Sequence, residues 1–275
     1  MNNLEAYKMD GLGNDFIIFD KRQKSVELTK DQIIKISDRN SIGCDQVIFI
    51  DKDENNNALL KFYNSDGNEI SACGNGSRCV AYLLMKESNS NKISLKTKVG
   101  ILQAELSEKN LVRINMGEPN FIWNKIPLLK KMNNQNLKIK INSNDGKEFT
   151  GGFSLSIGNP HVIFFVENFN QFNLQEIGPK IENHNYFPEK CNITLASIKN
   201  KKHVEVKVWE RGVGLTKACG TAACATAVAA AVLKLSERCV DIEFAQGLLN
   251  IDWKKDNNIY MTGKVSEVEK IKVNI

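Results

Sequence analysis

The chain has 275 residues, 42% hydrophobic and 25% charged, with 37 Lys and Arg against 32 Asp and Glu for a net charge of +5. That length and composition describe two globular domains of ordinary size, each able to bury a core, and exclude a disordered chain. The positive residues are dispersed, with only small clusters such as Lys130-Lys131 and 199–202, which speaks against nucleic-acid binding. The longest apolar runs, such as Val162 to Val166, fall far short of a membrane span. Met1 to Gly11 contain no apolar signal core, so the expected location is cytoplasmic.

In chain order, 16–20, 46–50 and 58–63 read as strands, and so do 161–166 and 204–209. Two stretches break this β-rich pattern and read as helices, 76–87 and 221–235, the second nearly all Ala. Both are apolar on almost every face until the last turn, so each belongs at the centre of a domain, wrapped by sheet. The turn signals of Gly117-Glu118-Pro119-Asn120 place a domain boundary near residue 119. The expected fold class is α+β, with two pseudo-symmetric domains, each a sheet or barrel around a central apolar helix.

Seven cysteines stand at 44, 73, 79, 191, 219, 224 and 239. An odd number without a secretory signal argues against a disulfide framework. Zinc would need closely spaced ligand pairs. Cys73/Cys79 and Cys219/Cys224 are the nearest, and none of His161, His184 and His203 forms a ligand pair, so no metal is expected. Cys44, Cys79, Cys191, Cys224 and Cys239 read as small buried hydrophobes. The remaining two precede the predicted helices in matching contexts, Ala72-Cys73-Gly74-Asn75 and Ala218-Cys219-Gly220-Thr221, 146 positions apart. The same offset, within one residue, pairs Asn14 with Asn159, Gln46 with Asn192 and Asn64 with Glu210. A nearly constant offset across strands and helices argues for a duplicated unit.

A thiol just before a helix start lies at the positive end of the helix dipole, where the thiolate is favoured. The unpaired N–H groups that follow, from Gly74-Asn75 and Gly220-Thr221, suit a carboxylate. Two such ends, one from each domain, facing one another across a cleft, put a thiol on each side of one carboxylate-bearing carbon. The chemistry that fits is racemisation without a cofactor: one thiolate removes the α-proton and the other thiol protonates the opposite face.

At these residues the sequence resembles the diaminopimelate epimerase family. The resemblance is carried by Tyr7 to Phe16, by Tyr63-Asn64-Ser65-Asp66-Gly67 running on to Ala72–Cys79, by Gly158-Asn159-Pro160-His161, and by Trp209 to Thr216 followed by Ala218 to Thr221. It spans the whole chain. It implies a domain of residues 1–118 to which 265–275 return, a second domain of 119–264, and an active site in the cleft between them. The implied reaction is cofactor-independent epimerisation of LL-2,6-diaminopimelate to the meso form, a step toward lysine and peptidoglycan precursors. Carried over by position, Cys73 and Cys219 are the acid–base pair, and His161 and Glu210 tune the thiols. Asn14, Gln46, Asn64, Gly74, Asn75, Asn159, Asn192, Glu210, Arg211, Gly220 and Thr221 contact the substrate. The expected partner is that small molecule, with neither nucleic acid nor membrane.

Three positions depart from the family pattern. Ala222 stands where Gly is common, and Ala245-Gln246-Gly247 replaces a Pro-Gly-Gly. The resemblance implies a homodimer, but Gly263 to Lys270 lacks the aromatic residue that the family uses in its dimer contact, which counts against the dimer here. Rival readings are a proline racemase-like isomerase of the same architecture, a thiol redox or metal-binding protein, and a non-catalytic amino-acid binder. The distance between Cys73 and Cys219 in sequence counts against the second, and the presence of both thiols against the third.

Overall fold

A computed structural model describes residues 3–143, 146 and 148–274, leaving aside the side chain of Asn170. Met1, Asn2 and Ile275, at the two ends of the first expected domain, lie outside the described residues, as do 144, 145 and 147 in the second. The chain divides into two compact units, Met1–Asn115 with Thr262–Ile275, and Met116–Met261.

The first unit holds β1 (Asn3–Gly11), β2 (Asn14–Asp20), α1 (Lys30–Ser37), β3 (Gln46–Asp51), β4 (Ala58–Asn64), β5 (Glu69–Ile70), α2 (Gly74–Ser88), β6 (Lys92–Thr97), β7 (Gly100–Glu108) and β8 (Leu111–Asn115). The second holds β9 (Ile139–Asn142), β10 (Glu148–Gly151), β11 (Phe153–Ser156), β12 (Pro160–Phe165), α3 (Leu174–Glu182), β13 (Asn192–Asn200), β14 (His203–Glu210), β15 (Gly214–Thr216), α4 (Gly220–Val232), β16 (Cys239–Phe244) and β17 (Gly247–Trp253). After β18 (Ile259–Lys264), β19 (Glu269–Asn274) pairs antiparallel with β1 in the first unit.

Each unit repeats one ladder. In the first, β2 and β3 run parallel with Phe16 opposite Gln46, β3 and β4 antiparallel with Gln46 opposite Asn64, and β4 and β6 parallel with Ala58 opposite Leu95. In the second, β12 and β13 run parallel with His161 opposite Asn192, β13 and β14 antiparallel with Ile193 opposite Trp209, and β14 and β16 parallel with Val204 opposite Ile242. The short strands agree as well: Phe62 pairs with Ile70 as Val208 pairs with Thr216. The duplication read from a few motifs therefore extends to backbone pairing.

The central helices are buried because the sheets close on them. α2 packs against β1, β2, β6, β7 and β8, and α4 against β11, β12, β13, β14, β16 and β17. Every residue from Asn75 to Met85 is buried, and so are Ala222 to Ala230. The sheet is also covered on its other side. Ile17, Phe19, Val47 and Phe49 form a cluster with Ile33 and Ile36 of α1, and Ile193 and Leu195 form one with Ile177 and Ile181 of α3. Strands covered on both faces are apolar at every position, which is why Phe16-Ile17-Ile18-Phe19 does not alternate.

Several expectations are refined. The second helix stops at Val232, not 235, because Lys234 turns left-handed with φ of 58°. The N–H groups of Leu235 and Ser236 fold back onto the Ala230 carbonyl at 2.8 and 3.3 Å, which closes the helix end. Cys44, Cys79, Cys191 and Cys224 are buried, but Cys239 is exposed: the alternation of β16 points its first residue outward. No helix among the described residues is long and apolar enough to cross a membrane.

The departure at Ala222 has a packing explanation. A Cβ on Gly76 would come within 2.7 Å of Ile48 and 3.1 to 3.2 Å of Phe62 and Phe16, so only glycine fits there. The equivalent ladder positions around Ala222 carry Thr194, Val208 and His161. Thr and Val are smaller than Ile and Phe, which leaves room for a methyl group.

Candidate active site

Cys73 and Cys219 are the N-caps of α2 and α4, with nearly the same backbone geometry: φ −139°, ψ 117° and φ −140°, ψ 115°. The first helical bonds run from Ser77 N to Cys73 O and from Ala223 N to Cys219 O. The amides of Gly74-Asn75 and Gly220-Thr221 precede those bonds, so each first turn offers unpaired donors beside a sulfur.

In the first unit the half-buried Cys73 Sγ accepts from Gly76 N at 3.4 Å and donates to Asn14 Oδ1 at 3.7 Å. Asn14 follows a tight turn in which Leu12 and Gly13 both have positive φ, 58° and 72°, the pattern of a hairpin turn matched to strand twist. Its Nδ2 donates to Asp45 Oδ2 at 3.0 Å, which fixes the amide so that its oxygen faces the thiol. Asp45 is held in turn. Arg39 grips Asp15 with two hydrogen bonds of 2.7 Å and also donates to Asp45. Gln46 Nε2 donates to Asn64 Oδ1 at 3.1 Å across the β3–β4 pair.

In the second unit Cys219 is buried and its Sγ lies 3.5 Å from Thr221 Oγ1. Thr221 Oγ1 accepts from Asn159 Nδ2 at 3.4 Å, and Asn159 Oδ1 accepts from His161 Nε2 at 2.9 Å. His161 therefore reaches the sulfur through two side chains. Glu210, the last residue of β14, lies near enough to Cys219 for its charge to act on the thiol. Burial, and then the neighbouring Glu210 charge, push the Cys219 thiol upward. Burial also raises Glu210. Asn192 spends both ends of its amide on backbone, donating to Pro160 O at 2.9 Å and accepting from Arg211 N at 3.0 Å. It braces the strand that carries His161 and the turn that carries Arg211. Arg211 is exposed, and its guanidinium donates to Glu189 O at 3.0 Å.

His161 is fully buried. Burial, and secondly the Arg211 charge, push its pKa down to about 3. The sign follows. Below its ordinary value of 6.5 the unfolded chain binds a proton that the folded chain refuses. Stability from this group is thus complete above pH 6.5 and declines as pH falls toward 3. Between pH 7 and pH 5 the loss from this group is about 2 kcal/mol. Denaturant midpoints at both pH values for the parent and His161→Gln test this: the parent's acid sensitivity should exceed the variant's by that amount. Equal sensitivity would mean that His161 is not held neutral.

The sequence reading missed three supports. The Asp15–Arg39–Asp45 network was one, although Asp15 directly follows Asn14. The second is Glu182 at the end of α3, buried, whose carboxylate accepts from Trp209 Nε1 at 2.7 Å and Gly212 N at 3.0 Å, with Lys190 Nζ at 3.6 Å. It clamps both sides of the Glu210-Arg211 pair. The third is Arg78, a charged residue inside an otherwise apolar helix core. Among the described residues no group of three or more His, Cys, Asp or Glu is arranged to hold a metal ion.

The diaminopimelate epimerase family model matches residues 6–122 and 153–268. The chain is 52% identical to a diaminopimelate epimerase of Pelagibacter ubique, covering 99% of this chain and all of that one. It is 40% identical to the diaminopimelate epimerase of a Caulobacter strain, covering 94% and 93%. Among solved structures it is similar to a phenazine biosynthesis protein of the PhzF family from Bacillus anthracis, with a TM-score of 0.69, 17% identity and complete coverage of both chains. It is also similar to a probable proline racemase from Agrobacterium radiobacter, with a TM-score of 0.70, 10% identity and coverage of 99% and 93%. At those identities the two structures speak for the fold alone.

Proposed function

Because the chain belongs to the diaminopimelate epimerase family, we propose that it epimerises LL-2,6-diaminopimelate to the meso isomer, with Cys73 and Cys219 as the acid–base pair. The observation that carries the residue assignment is the matched N-cap geometry of the two cysteines, each with first-turn donors beside its sulfur. The reaction breaks one Cα–H bond and forms another on the opposite face. Cys73, as thiolate, takes the α-proton from one face. Cys219 delivers its own proton to the other, and first-turn amides steady the negative charge that builds on the carboxylate.

Glu210 gives the second half-site its polarity. Burial, and then the Glu210 charge, push the Cys219 thiol upward, which keeps Cys219 protonated and ready to act as the acid. His161, Asn159 and Thr221 form a chain of donors ending at the same sulfur, which steadies the thiolate left after the proton departs. Asn14, Gln46, Asn64 and Arg211 have the chemistry for the ammonium and carboxylate groups of the substrate: amides serve either, and the guanidinium forks onto a carboxylate. The product feeds lysine and peptidoglycan precursor formation. Two reactive thiols that must stay reduced suit the cytoplasm.

The test is incubation with LL-diaminopimelate in heavy water, followed by chiral separation and mass analysis. Early meso product should carry one solvent deuterium while the remaining LL-substrate stays largely unlabelled, because the proton that leaves and the proton that arrives use different groups. Retention of the original hydrogen in the meso product would rule out the two-thiol assignment. Absence of any meso product would rule out the activity.

A further inference from the structure

Asn75 and Arg78 are both buried in the first turns of α2, at 2% and 0% exposure, and Arg78 Nη2 donates to Asn75 Oδ1 at 3.0 Å. A guanidinium has donors only, so the side of the Asn75 amide that faces it must be the oxygen. The other end, Nδ2, has no hydrogen-bond partner among the described residues and is not sealed from solvent. It therefore points its two donors away from Arg78, in the turn that Cys73 caps.

The second unit solves the same problem differently. The residue two places after its capping cysteine is Thr221, and its hydroxyl is oriented by Asn159 Nδ2 at 3.4 Å. The position equivalent to Arg78 is Cys224, which carries no charge and no fork. Each half-site thus has one side chain next to the helix-start amides, and each has a dedicated partner that fixes which end of it is presented.

We propose that Arg78 is a positioning residue for the epimerisation: it locks the Asn75 amide with its NH2 group presented to the substrate carboxylate. Without the lock the amide is free to turn and present its oxygen, which repels a carboxylate. The inference rests on the epimerase reading above.

Two substitutions separate this role from plain packing. Asn75→Asp keeps an acceptor for the guanidinium but removes the donors. Its melting temperature should equal or exceed the parent's, while KM for LL-diaminopimelate rises about tenfold or more and kcat changes less. Arg78→Lys keeps the charge but loses the planar fork. It should raise KM about fivefold in the parent background and not at all in an Asn75→Ala background, where there is no amide to orient. An unchanged KM in Asn75→Asp overturns the proposal, as does an Arg78→Lys penalty that persists undiminished without the amide. If Arg78→Lys fails to fold, the comparison of Asn75→Asp with Asn75→Ala decides: equal KM increases support the need for the donor, and a normal KM in Asn75→Asp refutes it. A parent protein that does not epimerise at all removes the premise and overturns both readings. A parent that does, with KM unmoved in Asn75→Asp, defeats this one alone.

Discussion

Cys73→Ala and Cys219→Ala should each lose about three powers of ten or more in epimerisation, and the double variant should lose little beyond that. The two sulfurs act as one unit, since removing a proton from one face is useless without delivery to the other, and losses within such a unit do not add. The substitutions should leave the fold in place. Cys73 is only half-buried, and its backbone makes the first helical bond of α2 whatever the side chain. Cys219 is buried, and the truncation removes one sulfur atom from a polar surrounding, so its cost in stability is on the order of 1 kcal/mol. The checks are initial rates in both directions and thermal melts. A folded alanine variant with near-parental rates would remove that cysteine from the mechanism.

Glu182→Ala should be the most damaging change outside the cysteines. The carboxylate satisfies the Trp209 indole and the Gly212 amide from inside the unit, so truncation leaves a half-buried indole N–H unpaired and frees the turn between them. Hydrogen bonds to a charged acceptor put the expected cost at about 2 to 4 kcal/mol. Glu210 and Arg211 lie on that turn, so KM should rise about tenfold. Glu182→Gln keeps one acceptor and should fall between the parent and the alanine variant. Denaturant midpoints and KM values measure both effects, and a parental midpoint with parental KM in Glu182→Ala would show that the clamp does not matter.

How far the sequence could be read depended on where the folding information lay. The runs at 16–20 and 46–50 were legible because strands covered on both faces cannot alternate, and the Ala-rich helix because its composition suits nothing else. α1 is only eight residues long, yet it carried a signal that went unused: Thr29 and Gln32 form a reciprocal capping box. α3 gave the opposite signal, with Gly178 and Pro179 inside it. The glycine is there because a Cβ would come within 2.6 Å of the Trp209 ring, a contact between residues 31 positions apart that no local window contains. The paired cysteines, the asparagines and Glu210-Arg211 were legible because they recur at one offset and match a family. Their supports were not. Arg39 and Glu182 act through side chains brought together by β2–β3 pairing and by α3 packing, and nothing in their own neighbourhoods marks them; Asp45 adjoins Gln46, but its bond to Asn14 crosses 31 positions.

The two ladders stay in step only in blocks. His161 follows Phe16 by 145 positions, Asn192 follows Gln46 by 146, and Cys239 follows Lys92 by 147. Each step is one extra residue in the second half, and both lie at joints. One is in the stretch from β12 to β13 that contains α3; the other is between α4 and β16, where 235–238 stand against 89–91 in the first half. An extra residue inside β4 or β14 would turn every later side chain over, exchanging Asn64 or Glu210 with a core residue. Side-chain identity meets no such barrier: Phe16 stands opposite Gln46 in one ladder and His161 opposite Asn192 in the other. Grafts between the halves should therefore be cut at these joints, where length is free to vary, and should carry each strand across whole.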